Sequence, residues 1–222
     1  MTTTPTPPRG RFIVLEGIDG SGKTTQLQAL ADWLPASGLM PPGAALITTR
    51  APGGTALGAC LRGLLLHPPG DTEPCRTAEL LLYVADTAQL CSQVVEPALA
   101  AGHWALCDRF TGSTVAYQGY GRGHDLKVIQ QLNQLATGGL KPDLTIWLGL
   151  SPADALQRRS HRSADRIERA GEGFLGRVAL GYRSLYLESL NWRYVSADAP
   201  LAQVTKSCQL KLRTGFRADA TP

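Results

Sequence analysis

Residues 17 to 24 read Gly-Ile-Asp-Gly-Ser-Gly-Lys-Thr, residue types and a spacing suited to chemistry on phosphate. Gly17, Gly20 and Gly22 let the backbone curl, so that N–H groups along the loop, through Ser21 to Thr25, point inward at anionic oxygens. Lys23 can set its ammonium against the outer phosphates, and the Thr24 hydroxyl is suited to ligate magnesium. The pattern needs a buried strand before it and a helix after it. Phe12-Ile13-Val14-Leu15 supplies the strand, and residues Gly22–Leu34 read as a helix whose positive end faces the same anion. A glycine-rich turn with a chance lysine lacks that context. The segment therefore predicts a nucleoside triphosphate site.

Further polar groups cluster near the ends of other apolar runs. Asp108 follows Trp104-Ala105-Leu106-Cys107, where a carboxylate can hold the water ligands of a magnesium ion. Arg109 beside it suits a substrate phosphate, which a guanidinium binds through two parallel hydrogen bonds. An Asp-Arg pair alone is more often a solvated surface pair. It gains weight from Thr111-Gly112-Ser113-Thr114 and Ala116-Tyr117-Gln118, read as a loop rich in hydroxyls that can recognise a sugar and a base edge. Arg158, Arg159, Arg162, Arg166 and Arg169 follow within twelve residues. A solvated helical face with Asp165 and Glu168 is the plain reading of that segment. Because the phosphate loop carries no arginine, the sharper reading is a lid whose arginines stabilise charge developing in phosphoryl transfer while closure excludes water.

The elements that must position these groups follow from short apolar runs alternating with helical stretches, the pattern of a parallel sheet covered on both faces. Strands are expected at Arg11–Glu16, Ala45–Arg50, His103–Asp108, Leu144–Leu150 and Trp192–Ser196. Helices are expected at Gly22–Leu34, Thr55–Leu66, Thr77–Ala100, Leu126–Thr137, Pro152–Arg159, Gly173–Leu190 and Leu201–Leu212. The fold class is α/β: a three-layer phosphate-loop fold with a five-stranded parallel sheet flanked by helices and an arginine-rich lid. In such sheets ligands sit beyond the carboxyl ends of the strands, where Gly17–Lys23, Arg50–Thr55 and Asp108-Arg109 fall. The expected organisation is a disordered tail at 1–10, a single domain at 11–213 with the lid at about 158–171, and a tail at 214–222.

At 222 residues and 43% hydrophobic, the chain suits one sizeable core. A net charge of +4 favours anionic ligands without demanding nucleic acid. The five cysteines lack a C-x-x-C spacing and the four histidines are scattered, so a disulfide framework, a zinc site and a histidine metal site have little support. No run approaches the roughly 18 apolar residues of a membrane span, and the first residues have no apolar signal core. A cytoplasmic protein is expected.

The chain resembles bacterial thymidylate kinases, particularly the cyanobacterial branch, from about Arg11 to Val204. The resemblance rests on EGIDGSGKTT (Glu16–Thr25), TRAPGGT (Thr49–Thr55), LRGLLL (Leu61–Leu66), DRFTGSTVAYQGYGRG (Asp108–Gly123), KPDLTIWL (Lys141–Leu148) and DRIE (Asp165–Glu168). It implies transfer of the ATP γ-phosphate to dTMP, with ATP and Mg²⁺ as cofactors, and a homodimer packed through long helices such as Thr77–Ala100. It also implies that Asp19 meets the sugar 3′-hydroxyl and nearby magnesium waters. Pro52 follows a cis peptide bond beside the substrate phosphate, which Arg62 and Arg109 hold. Tyr83 stacks on thymine, in a position the family usually gives to phenylalanine. Thr114 and Gln118 lie along the base, with Tyr117 under C2′ where its ring leaves no room for a ribose hydroxyl. Arg162 and Arg166 belong to the lid.

Two positions depart from the family. Ala51 stands where glutamate is usual, and Thr87 stands where an arginine reaching thymine O4 is preferred. An orphaned buried charge is costly, so the two losses read as coupled, with the positions facing each other. The lid is also about one residue short between Leu156 and Asp165. The alternatives are a kinase of another pyrimidine monophosphate and a weakly catalytic nucleotide-binding paralogue. A GTPase switch has little support, since no N-K-x-D motif is present.

Overall fold

The computed structural model describes residues 9–70, 73–159, 166–167 and 171–217. The apolar run that precedes the glycine loop forms β1 (Phe12–Glu16), every residue of it buried. It lies at the centre of a five-stranded sheet with β2 (Leu46–Arg50), β3 (Trp104–Asp108), β4 (Leu144–Gly149) and β5 (Trp192–Ser196) in the order β2-β3-β1-β4-β5. Every pairing is parallel. The register aligns Leu15 with both Asp108 and Ile146, and Arg50 with Asp108. The loops after β1, β2 and β3 therefore open at one level, which is what assembles the site.

Alternation along β1 sends its side chains into separate layers. Ile13 and Leu15 join Leu30 of α1 (Lys23–Trp33), Leu34 just beyond it, and Cys208 and Leu212 of α9 (Leu201–Arg217) on one face. Phe12 and Val14 pack with Leu90, Val95 and Leu99 on the other. Strands buried on both faces read as continuous apolar runs, which explains why they stand out in the sequence. A third cluster, with Tyr117, Phe174, Val178, Tyr182 and Trp192, underlies the site.

The remaining helices are α2 (Ala56–Leu66), α3 (Arg76–Leu90), α4 (Glu96–Ala100), α5 (Thr111–Thr114), α6 (Leu126–Thr137), α7 (Pro152–Arg159) and α8 (Gly171–Glu188). The single helix expected at Thr77–Ala100 is divided by a π-turn at Cys91–Val95. Pro97 has no N–H to offer the carbonyl of Gln93 and its ring crowds that carbonyl, so the ladder widens ahead of it. The segment read as a hydroxyl-rich loop is helical, α5 followed by a π-turn at Val115–Gly121. Its glycines hide the helical signal, yet they let α8 come close. A side chain at Gly121 would meet the Phe174 ring at 2.6 Å.

Both chain-end boundaries shift. Gly10 N–H donates to Leu99 O at 2.8 Å and Arg9 pairs with Asp143 at 3.0 Å, so these residues are anchored to the domain. At the other end α9 runs on to Arg217, four residues past 213, because Phe216 packs edge-on against Trp104. The rest of the expected tails, 1–8 and 218–222, lies outside the described residues.

Candidate active site

The glycine turn after β1 has positive φ at Gly17, Gly20 and Gly22. Gly17 is constrained twice, since a side chain there would also lie 2.6 Å from Leu148 O. The turn brings Lys23 inward, 6% exposed, with Nζ donating to Ile18 O at 2.9 Å. Burial and the nearby Arg109 guanidinium pull its pKa down to about 8, against Asp19, Asp108 and Glu16, which raise it. Ser21 is buried with its hydroxyl unpartnered. Gly20, Gly22, Thr24 and Thr25 line, with Asp19 and Lys23, one wall of a cavity of about 460 Å³.

Asp108, at the end of β3, accepts a hydrogen bond from Thr24 Oγ1 at 2.8 Å through Oδ2. Its other oxygen, Oδ1, is buried without a partner. A hydroxyl and an unsatisfied carboxylate oxygen beside a phosphate loop fit a hydrated magnesium ion. Among the described residues, no group of three acidic, histidine or cysteine side chains could hold a metal by itself. The donor set thus suits an ion that arrives with nucleotide phosphates.

Arg109 follows in a left-handed conformation, φ +72°, alone among the described non-glycine residues. That geometry is costly for a residue with a Cβ, and buried Glu16 holds the turn in place. The Glu16 carboxylate accepts from the Phe110 and Ser113 amides at 3.0 Å each and from the Ser113 hydroxyl at 2.6 Å. Burial nevertheless raises the Glu16 pKa. The turned Arg109 donates to Asp19 Oδ1 at 2.6 Å, Ser113 and Tyr182 at 3.0 Å, and Tyr117 at 3.2 Å. Tyr117 also donates to Asp19 Oδ2 at 2.9 Å. Burial opposes ionisation of Asp19, but Arg109, Lys23 and the Tyr117 hydrogen bond outweigh it and hold the carboxyl well below its usual range.

The cavity is also lined by Pro52, Arg62, Tyr83, Thr87, Thr114 and Gln118. The Ala51–Pro52 peptide is cis, and Arg62 donates to Pro52 O at 3.3 Å. Ala51 and Thr87 line the same cavity, and the Thr87 hydroxyl is turned onto its own helix, donating to Tyr83 O at 3.0 Å.

Of the arginine-rich segment expected to form a lid, residues 160–165, Arg162 among them, and 168–170 lie outside the described residues. Arg166 is buried away from the cavity wall, donating to Glu79 Oε2 at 2.6 Å and to Leu65 O at 2.9 Å. In this arrangement the Arg166 guanidinium is tied to a buried carboxylate and does not line the cavity. Arg158 instead reaches the phosphate loop, donating to Gly20 O at 3.5 Å and to Ala197 O at 2.7 Å, and it lines the cavity. Sequence reading counted Arg158 in the cluster without singling it out. It passed over Glu79, whose alignment with the apolar face of α3 was the available signal. It passed over Asp86 as well, whose Oδ1 accepts from Gly53 N–H at 2.9 Å while Oδ2 is buried without a partner.

A phosphate loop opening α1, an acidic strand end beside it and a cavity large enough for a second ligand define a phosphate-loop kinase of small molecules. The profile of the family described as "Thymidylate kinase" matches residues 15–208. A thymidylate kinase from Synechococcus sp. (strain RCC307) is 63% identical over 208 residues, covering 94% of this chain and 98% of the relative. One from Prochlorococcus marinus (strain MIT 9313) is 58% identical, covering 93% and 95%. The crystal structure of thymidylate kinase from Ehrlichia chaffeensis superposes with a TM-score of 0.74 at 30% identity, covering 93% of this chain and all of that one. The chain belongs to the thymidylate kinase family.

Proposed function

We propose that this chain transfers the γ-phosphate of ATP to dTMP, giving dTDP and ADP. The observation that carries the reading is that one cavity is lined both by Lys23 and Thr24 of the phosphate loop and by Arg62, Arg109, Tyr117 and Gln118. The loop amides and Lys23 cradle the donor phosphates, and Arg109 and Arg62 hold the acceptor phosphate. Asp19 receives the sugar hydroxyl, Tyr83 stacks on the base, and Thr114 and Gln118 read its edge. Thr24 and Asp108 would hold magnesium, which when bound would neutralise phosphate charge. Phosphoryl transfer then proceeds by positioning and charge stabilisation without a covalent intermediate.

Exposed Leu57 and Leu64 on α2, Leu81 on α3, and Leu126, Val128 and Leu135 on α6 support a homodimer packed through these helices. The unpaired state of all five cysteines supports a reducing compartment such as the cytoplasm. Among the described residues no helix is long and apolar enough to cross a membrane, and nucleic acid has no part in the reading.

The test is a coupled assay of ADP release with ATP and dTMP, dCMP, dUMP, dAMP, dGMP or UMP side by side. Turnover greatest with dTMP is expected. Turnover confined to another nucleotide, or absent with all of them, overturns the reading.

A further inference from the structure

Glu79 lies on α3 with its side chain only 2% exposed, yet it carries no role in the phosphate chemistry above. Its carboxylate collects donors from separate parts of the chain. Oε1 accepts from Gln118 Nε2 at 3.1 Å and from Arg122 Nε at 3.2 Å. Oε2 accepts from Arg122 Nη2 at 3.1 Å and from Arg166 Nη2 at 2.6 Å. Burial works against the charge, but the hydrogen bonds from Gln118, Arg122 and Arg166 hold the carboxyl below its usual range. An ionised carboxylate offers only acceptors, about four lone-pair sites in all, and these donors take them.

That has a consequence for Gln118, which lines the cavity and is 2% exposed. A primary amide has a donor end and an acceptor end. Glu79, flanked by Arg122 and Arg166, can receive only the donor end. The amide is thereby locked with its NH₂ toward Glu79 and its oxygen turned away, and no donor among the described residues meets that oxygen. The cavity is offered an acceptor.

We propose that Glu79 is a positioning residue for base selection: by holding the Gln118 NH₂ it presents Gln118 Oε1 to the N3–H of a thymine or uracil ring. Cytosine carries a lone pair at N3, so the same oxygen repels it. The inference rests on the dTMP-kinase reading above and adds how the pyrimidine class is chosen. It is independent of Thr87, whose hydroxyl is committed to Tyr83 O.

The test is the ratio of kcat/KM for dTMP to that for dCMP, in which losses common to both substrates cancel. Glu79→Gln brings an NH₂ of its own and lets the Gln118 amide turn over. The ratio is expected to fall at least about tenfold, the scale of one mismatched hydrogen bond at a buried polar site. Glu79→Asp keeps an acceptor-only group and should retain most of the native ratio. A Glu79→Gln enzyme that is less active but keeps the native ratio would show a purely structural carboxylate and overturn the proposal. Should that variant not fold, the native protein decides by competition binding: dCMP and N3-methyl-dTMP should each bind at least about tenfold more weakly than dTMP. Equal binding of dCMP and dTMP overturns the proposal. Failure of native enzyme to turn over dTMP at all is a different result and overturns the parent reading.

Discussion

Arg109 Nη2 and Asp19 Oδ1 meet at 2.6 Å across the mouth of the phosphate loop, joining the end of β3 to the turn after β1. The contact aims the guanidinium proposed to hold the substrate phosphate, by tying it to the residue proposed to receive the substrate's sugar. Ser113, Tyr117 and Tyr182 take three more of its five N–H donors. Arg109→Lys keeps the charge but not the fork of donors. We expect kcat/KM for dTMP to fall roughly a hundredfold, the scale of a misplaced phosphate clamp, with little change in ATP affinity. Steady-state kinetics check this; a change within threefold would mean that charge alone suffices.

Lys23→Ala should lower kcat by at least about a thousandfold, as loss of a phosphate-clamping cation does, while circular dichroism stays native. The native protein should also show the lysine in its pH dependence. Its pKa lies at about 8 in the folded ligand-free chain, from a usual 10.5. Above about pH 8 the free enzyme loses the proton that ATP binding requires, so binding must take one up. Between about pH 8 and 10 the apparent Kd for ATP should rise nearly tenfold per unit, and calorimetry in buffers of different ionisation heat should report proton uptake. For stability the sign is the reverse. The unfolded chain binds more protons in that window only if its lysine stays charged, which it does, so this group's contribution rises with pH there. Unchanged ATP affinity across the window would remove Lys23 from the binding step.

Arg166→Ala and Arg158→Ala should separate. Arg166 is 5% exposed and bound to Glu79, so its loss should cost about 3 kcal/mol of stability, read by urea unfolding. Arg158 touches the phosphate loop from an exposed helix face. Its loss should spare stability and lower kcat more than it raises KM for dTMP, the mark of an interaction that strengthens in the transition state. Normal kcat in Arg158→Ala would make it a surface residue.

Ala51 and Thr87 share the cavity wall, where the usual acid and base of the family are both absent. Thr87→Arg alone should tighten dTMP binding only modestly. Asp86 is an acid next door, but adjacent helical residues do not face each other. Ala51→Glu with Thr87→Arg should gain more than the single changes summed, by about 1–3 kcal/mol of coupling. Additive effects on the dTMP Kd would show that the losses were independent.

The sequence by itself determined whatever is written in contiguous residues. The phosphate loop is one such signal, because strand, glycine turn and lysine follow one another. The central strands β1, β3 and β4 are another, since strands buried on both faces leave mostly apolar runs. The DRFTGSTVAYQGYGRG segment carried the family for the same reason. Tertiary structure decided which charges meet. Asp19 and Arg109 are 90 residues apart, and Glu79 and Arg166 are 87 apart. No periodicity links such positions, so sequence reading treated Arg166 as lid cation and left Glu79 unremarked. Residues 115–121 were decided the same way. Their glycines argue for a loop, and only the close approach of α8, with Gly121 against Phe174, makes a helical turn the lower-energy choice. Burial selects among the conformations and partners that local sequence permits, because a charge or backbone group taken out of water must be satisfied by whatever the fold has brought beside it.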